Sequence, residues 1–312
     1  MFAILRPMVR SAALTPETIE ARFAEHGFVC TGDVATVLHL ADALDKPLLL
    51  EGPPGVGKTE IAKLWAAVHD AELIRLQCYE GLDEARALYE WSYGKQLLYA
   101  QLLRDKLGEV LADAPDLPSA VRRLKGQADE FFSRDFLLAR PLLRAVLSER
   151  PAVLLVDEID RADEEFEAFL LELLSDYQVT IPELGTIRAT RPPRAILTSN
   201  DSRELSDALR RRCLYHYVDY PGADEELRIV ESRVPGLSAE LGRRVVRFAQ
   251  AARRAELRKQ PGVAEVIDWA LALVALGADG LEPQLLRRTL GALLKNREDL
   301  ERVLGDLARF RA

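Results

Sequence analysis

The stretch Gly52-Pro53-Pro54-Gly55-Val56-Gly57-Lys58-Thr59 limits what this chain can fold into more than any other, because it has the Walker A form. A triphosphate crowds several negative charges together. A loop that binds it must turn backbone N–H groups inward with no bulky side chain in the way, which calls for glycines at these positions. The phosphate-binding candidates are therefore Gly52, Pro53, Pro54, Gly55, Val56, Gly57, Lys58, Thr59 and the following Glu60. Lys58 is placed to reach the β and γ phosphates, and the Thr59 hydroxyl to hold Mg2+. The preceding run, Pro47 to Glu51, reads as a buried parallel strand, and Ile61, Leu64, Trp65 and Val68 follow at helical spacing. That order of strand, loop and helix sets the phosphates at a helix N-terminus, where the peptide dipoles favour anions.

A second stretch completes the chemistry. Ala152 to Val156 is a continuous apolar strand that ends in Asp157-Glu158, the Walker B form. The two carboxylates have different tasks: Asp157 holds Mg2+ through water, and Glu158 orients and activates the attacking water. A third strand, in RAILTSND, ends in Thr198-Ser199-Asn200, which brings Asn200 to a strand's C-terminal edge, where open α/β sheets bind ligands. There it can hold the lytic water or sense the γ phosphate. Arg210, Arg211 and Arg212 precede a further strand, Leu214 to Val218, and an arginine there is a candidate finger for a neighbouring subunit's nucleotide.

The residues point to an α/β fold class, an open sheet that carries the P-loop, followed by a small all-helical domain. Residues 1–27 read as a lead-in with a helix begun by Thr15 and Pro16 and closed by Gly27, and residues 28–221 as the ATPase core. Within the core, residues 78–135 read as an insertion. Its first part is dense in aromatics (Tyr79, Tyr89, Trp91, Tyr93 and Tyr99), which suit burial or a working surface equally; its later part is charged and helical. Phe136 to Leu147 reads as one apolar helix, and residues 179–189 as a hairpin. Residues 222–312 carry three or four amphipathic helices.

Composition removes several function classes. A formal net charge of −8 argues against a dedicated nucleic-acid surface, which needs a concentrated basic face. No apolar run is long enough for membrane insertion. Cys30, Cys78 and Cys213 form neither a CxxC pair nor a cluster with histidines, so a reduced, cytoplasmic protein is the default.

Taken together, GPPGVGKTE, LLVDEIDRAD, QVTIPELGTIRA, ILTSND and LSDALRRRCLYHYVDYP resemble the AAA+ ATPases of the MoxR family, and within it the CoxD-like branch. The resemblance covers nearly everything from His26 onward. It implies a P-loop αβα sandwich with a five-stranded parallel sheet, a small all-helical lid, a hexameric ring with ATP and Mg2+ at subunit interfaces, and a hairpin and insertion that face the pore or upper surface. It makes Lys58 and Thr59 the Walker A pair, Asp157 and Glu158 the Walker B pair, and Asn200 the sensor 1 residue. Arg212 aligns best with the family's finger, and Arg211 next. Where the family often has a lid arginine in a Ser-x-Arg-like motif, this chain reads Pro261-Gly262-Val263-Ala264-Glu265, which leaves Arg258 or Lys259 as substitutes. By resemblance the chain is a chaperone or remodelling factor that works with a von Willebrand factor A domain protein on a client metalloenzyme, a molybdenum hydroxylase among the candidates. The alternatives are a nucleic-acid-directed motor and a nucleotide-gated scaffold without turnover.

Overall fold

Leu48 to Leu50 and Ala152 to Val156 are unbroken apolar runs, and in the computed structural model each is a strand buried on both faces. The structure describes residues 14–99, 101, 116, 133–182, 184–307 and 310. The expected lead-in before residue 14 and nearly all of the charged stretch 102–132 lie outside them.

Two helices open the described chain: α1 (Pro16–Glu25), capped by Thr15, and α2 (Gly32–Ala43), capped by Thr31. Strand β1 (Leu48–Glu51) leads through the Walker A loop into α3 (Lys58–Val68) and then to β2 (Glu72–Gln77). The insertion contributes α4 (Glu84–Leu88) and β3 (Tyr89–Trp91), and returns through β4 (Leu137–Ala139) and α5 (Pro141–Leu147). The core continues with β5 (Ala152–Asp157), α6 (Glu164–Asp176), the hairpin β6 (Gln178–Ile181) and β7 (Gly185–Arg188), then β8 (Arg194–Ser199), α7 (Asp207–Arg212) and β9 (Leu214–Tyr217). The lid holds α8 (Ala223–Arg233), α9 (Ala239–Arg253), α10 (Val263–Ala275), α11 (Pro283–Leu293) and α12 (Arg297–Gly305). The lid thus has five helices among the described residues, where three or four were expected: α8 is mostly charged, with only Glu226 and Val230 buried, and so carries little apolar signal.

The main sheet has the order β2-β5-β8-β1-β9, and every pairing in it is parallel. Strand alternation divides its side chains. Leu49, Ile74, Leu154, Val156 and Leu197 pack on one face with α5 and α6. Leu48, Leu50, Val153, Leu155 and Ile196 pack on the other with Trp65 of α3 and Phe23 of α1. Lid helices enclose a separate core around Phe248 and Trp269, whose indole N–H donates to Thr289 at 3.0 Å.

The single helix expected over Phe136 to Leu147 is two elements. Proline has no N–H and clashes with a preceding turn, so Pro141 starts a helix rather than continuing one. The residues before it pair antiparallel with β3, Tyr89 opposite Ala139 and Trp91 opposite Leu137.

This pairing also divides the aromatic segment. Trp91 is 8% exposed and belongs to the sheet core, whereas Tyr93, Leu97 and Leu98 are exposed at 68%, 62% and 54%. The two readings left open for this segment therefore each hold for part of it: Trp91 is buried and Tyr93 is exposed. Trp91→Ala should cost about 3–5 kcal/mol of stability, while Tyr93→Ala should stay within about 0.5 kcal/mol. Urea unfolding of the two variants checks this, and equal losses would refute the division. The hairpin is divided in the same way. Val179, Ile181 and Ile187 are buried in the core, and only its other face, with Thr180, Thr186 and Arg188, is free to meet anything else.

Candidate functional site

Register brings the motif residues together. Glu51 pairs with Ser199 and Gln77 with Asp157, so the C-terminal ends of β1, β8, β5 and β2 lie side by side. There they border a cleft of about 760 Å³ between the core and the lid. Its lining includes Pro54 to Glu60, Asp157, Glu158, Thr198 and Asn200, together with Phe28 and Val29 from the segment before α2 and Val263, Ala264 and Ile267 of α10.

Gly52 is required by a close approach. A Cβ there would lie 2.1 Å from the Val218 carbonyl oxygen, where the chain passes from β1 into the loop. Gly52 and Pro53 do not line the cleft; their carbonyls accept hydrogen bonds from the Lys58 ammonium, both at 2.7 Å. Burial lowers the Lys58 pKa to about 8, against the opposing pull of Asp160, Asp157, Glu158 and Glu51. Gly57, in the left-handed region with φ 99°, gives α3 no side-chain cap, so the first N–H groups of the helix have no capping oxygen. A helix start of this kind, with a buried lysine beside it, suits a phosphate chain.

Asp157 is 2% exposed and fully engaged. Its Oδ1 accepts from Thr59 at 3.0 Å and from Thr198 at 2.5 Å, and its Oδ2 from Arg75. Hydroxyl and carboxylate oxygens gathered beside a phosphate site are the donor set a hard divalent ion such as Mg2+ accepts, with water filling the other positions. Thr198 also accepts from the Glu158 backbone N–H at 2.9 Å, which orients the next residue. Glu158 has a positive φ of 56°, and its carboxylate meets Arg161 Nε at 2.8 Å. Asn200 is held by its own N–H, which donates to Asp160 Oδ1 at 3.1 Å.

Asp160 was not singled out in the sequence, although it lies within the Walker B stretch. Its Oδ2 accepts from the Ser202 N–H and hydroxyl, so one carboxylate joins the loops after β5 and β8. Burial pushes this carboxyl up, but the hydrogen bonds from Ser202 and Asn200 outweigh that and hold it below the ordinary range. The other missed residue is Arg75, which is 82 positions from Asp157 in sequence, so no local pattern connects them.

The three arginines separate. Arg210 is anchored in its own subunit, donating to the buried Glu51 at 3.0 Å and lying over the Tyr215 ring at 5.8 Å. Arg211 is 84% exposed, 4.0 Å from the equally open Asp207. Arg212 is exposed at the end of α7, and none of the three lines the cleft of its own chain.

The lid meets the loop through backbone. Val263 and Ala264 N–H groups donate to the Gly55 carbonyl at 3.0 and 3.3 Å, and a Cβ on Gly262 would come within 2.8 Å of the Pro54 oxygen. The suggested substitutes Arg258 and Lys259 do not reach the cleft: Arg258 pairs with Glu298 at 2.9 Å, and both backbone N–H groups bind Asp299. The lid cation that does line the cleft is Arg233, 3.9 Å from Glu60.

No described helix is long and apolar enough to cross a membrane, and no cluster of His, Cys, Asp and Glu suited to a metal ion occurs among the described residues. Burial pushes the thiols of Cys30, Cys78 and Cys213 up to about 12.

The model of the AAA domain, dynein-related subfamily, matches residues 47–213. Over 266 residues the chain is 26% identical to the denitrification regulatory protein NirQ of Pseudomonas aeruginosa, spanning 82% of this chain and 86% of that one. Among solved structures it is similar to the Holliday junction branch migration motor RuvB of Thermotoga maritima, with a TM-score of 0.47 and 16% identity over 86% of this chain and 69% of that one.

Proposed function

The chain belongs to the dynein-related subfamily of AAA domains and is an AAA+ ATPase of the MoxR type, and from that premise we propose that it hydrolyses Mg-ATP in a ring to remodel another protein. The observation that carries this reading is the convergence of Lys58, Thr59, Asp157, Glu158 and Asn200 on one cleft closed by the lid.

In this reading the Lys58 ammonium neutralises the β and γ phosphates, and the α3 N-terminus receives the rest of the chain of phosphates. Thr59 and Asp157 hold Mg2+, which supplies charge neutralisation when bound. Glu158 accepts a proton from the attacking water, and Asn200, fixed through Asp160, orients it. Arg212 of a neighbouring subunit, with Arg211 as the second candidate, completes the site. The ring is a hexamer, as the family resemblance implies.

The partner in this reading is a von Willebrand factor A domain protein, and the client a metalloenzyme, with a molybdenum hydroxylase as the leading candidate. The lid bears on this. Its hold on the loop is through the Val263 and Ala264 N–H groups on the Gly55 carbonyl rather than an arginine at the start of α10, so closure depends less on the γ phosphate and more on what binds the lid. Basal turnover should then be slow and raised by the partner. Because coupling of binding free energies is reciprocal, the partner should bind ATP-loaded Glu158→Gln protein at least about fivefold more tightly than the ADP form. Calorimetry on one preparation measures both affinities, and equal values would rule the coupling out. Turnover stimulated by DNA instead would favour a nucleic-acid motor, and ATP binding with no turnover a scaffold.

A further inference from the structure

Arg75 has no part in the machinery set out above, yet it makes the closest charged contact to the carboxylate assigned to the metal. The register of β2 on β5 pairs Arg75 with Leu155 and Gln77 with Asp157, so strand alternation directs all three polar side chains to one face of the sheet. The guanidinium grips a single oxygen: Nε lies 3.0 Å and Nη2 2.6 Å from Asp157 Oδ2. Nη2 also donates to Gln77 Oε1 at 2.5 Å, which holds the fork in place from the outer side. The partners differ sharply in exposure, with 48% of the Arg75 side chain in water against 2% for Asp157.

Arg75 sets a full positive charge directly against the buried Asp157 carboxylate. A divalent cation beside the same carboxylate is then repelled by the guanidinium, and the two positive groups compete for Asp157. The guanidinium can yield at small cost, because its outer half is already hydrated and its long stem lets it swing into water. We propose that Arg75 is a built-in competitor for the divalent cation at Asp157: it holds the carboxylate in place while the site is empty, and it raises the Mg2+ concentration needed to load the nucleotide. The proposal rests on the reading of the cleft as a Mg-nucleotide site. Because β2 continues directly into Cys78 and the insertion, a partner that draws Arg75 or Gln77 outward would favour loading.

The test uses the full chain as wild type, Arg75→Gln and Arg75→Lys. Mg2+ is titrated into each with a fixed concentration of ADP, and bound nucleotide is read by calorimetry. Arg75→Gln should reach half-saturation at about tenfold lower Mg2+, the size expected when a half-exposed charge stops repelling a divalent one. Arg75→Lys keeps a positive charge but loses the fork, so its half-saturation should fall between those of wild type and Arg75→Gln. Thermal melts in EDTA without nucleotide give the other half: Arg75→Gln should melt lower than wild type there, and saturating Mg2+ with ADP should close most of the gap. Unchanged or raised half-saturation in Arg75→Gln overturns the proposal and leaves Arg75 a mere support for Asp157. If wild type binds no nucleotide with Mg2+, it is the reading of the cleft that fails. The competition is then read from the Mg2+ concentration that raises the melting temperature of each protein without nucleotide, and equal concentrations in wild type and Arg75→Gln refute it.

Discussion

Lys58→Ala is expected to abolish nucleotide binding, and Glu158→Gln to bind ATP while hydrolysing it about 100- to 10,000-fold more slowly, the range for loss of a positioned general base. The two substitutions remove different things. Lys58 is 6% exposed, and its ammonium joins the carbonyls of Gly52 and Pro53. Alanine there takes away the only cation at the start of α3 among the residues of the loop and leaves the uncapped helix to attract phosphates alone. Glu158 contributes nothing to the loop's shape through its side chain: its backbone N–H is held by Thr198, and only its carboxylate faces Arg161. Glutamine fits the same space but cannot take a proton from water, so binding survives while turnover is lost. Equilibrium binding of a fluorescent ATP analogue, with phosphate release on the same samples, separates the outcomes. Normal phosphate release from Glu158→Gln would show that the base is another residue.

Arg212→Ala should lower turnover roughly a thousandfold, as removal of an arginine finger does, while nucleotide affinity changes little. Geometry favours Arg212 over its neighbours. Arg210 already serves the buried Glu51, so Arg210→Ala should destabilise the C-terminal end of β1 instead of removing a finger. Arg211 faces Asp207 on the same helix, and its loss should be mild. Arg212 is exposed and does not line the nucleotide cleft of its own chain, as expected of a residue that acts on the next subunit. Mixing provides the decisive control. In a ring assembled from Arg212→Ala and Glu158→Gln protein, some interfaces combine an intact Glu158 with an intact Arg212, and turnover should partly return. If mixtures stay inactive while sizing shows that rings form, the arginine assignment is wrong; if no ring forms with ATP, the trans site itself is lost.

How much of this was legible in the sequence depends on how far apart the cooperating residues lie. The Walker A and B stretches, the central strands β1 and β5 and the hairpin follow from local composition: glycines where backbone must approach phosphate, and apolar runs where a strand is covered on both faces. The misreadings had local causes as well. Phe136 to Leu147 is apolar throughout, which suits helix and strand alike, and only pairing with Tyr89 to Trp91 separates β4 from α5. Trp91 and Tyr93 are two positions apart, yet the first is in the core and the second in water, because a strand ends between them.

The chain by itself determined the nucleotide-binding loop and the acidic strand end, since each is written in neighbouring residues whose chemistry needs no distant partner. Tertiary structure alone decided which groups share a charge. Arg75 reaches Asp157, Asp160 holds Asn200, Arg210 is spent on Glu51, and Gly262 lies against the Walker loop where an arginine was looked for. These contacts span tens to more than a hundred residues of chain. They exist because parallel strands must return to the same edge through helical crossovers, which sets the strand ends side by side however far apart they stand in sequence.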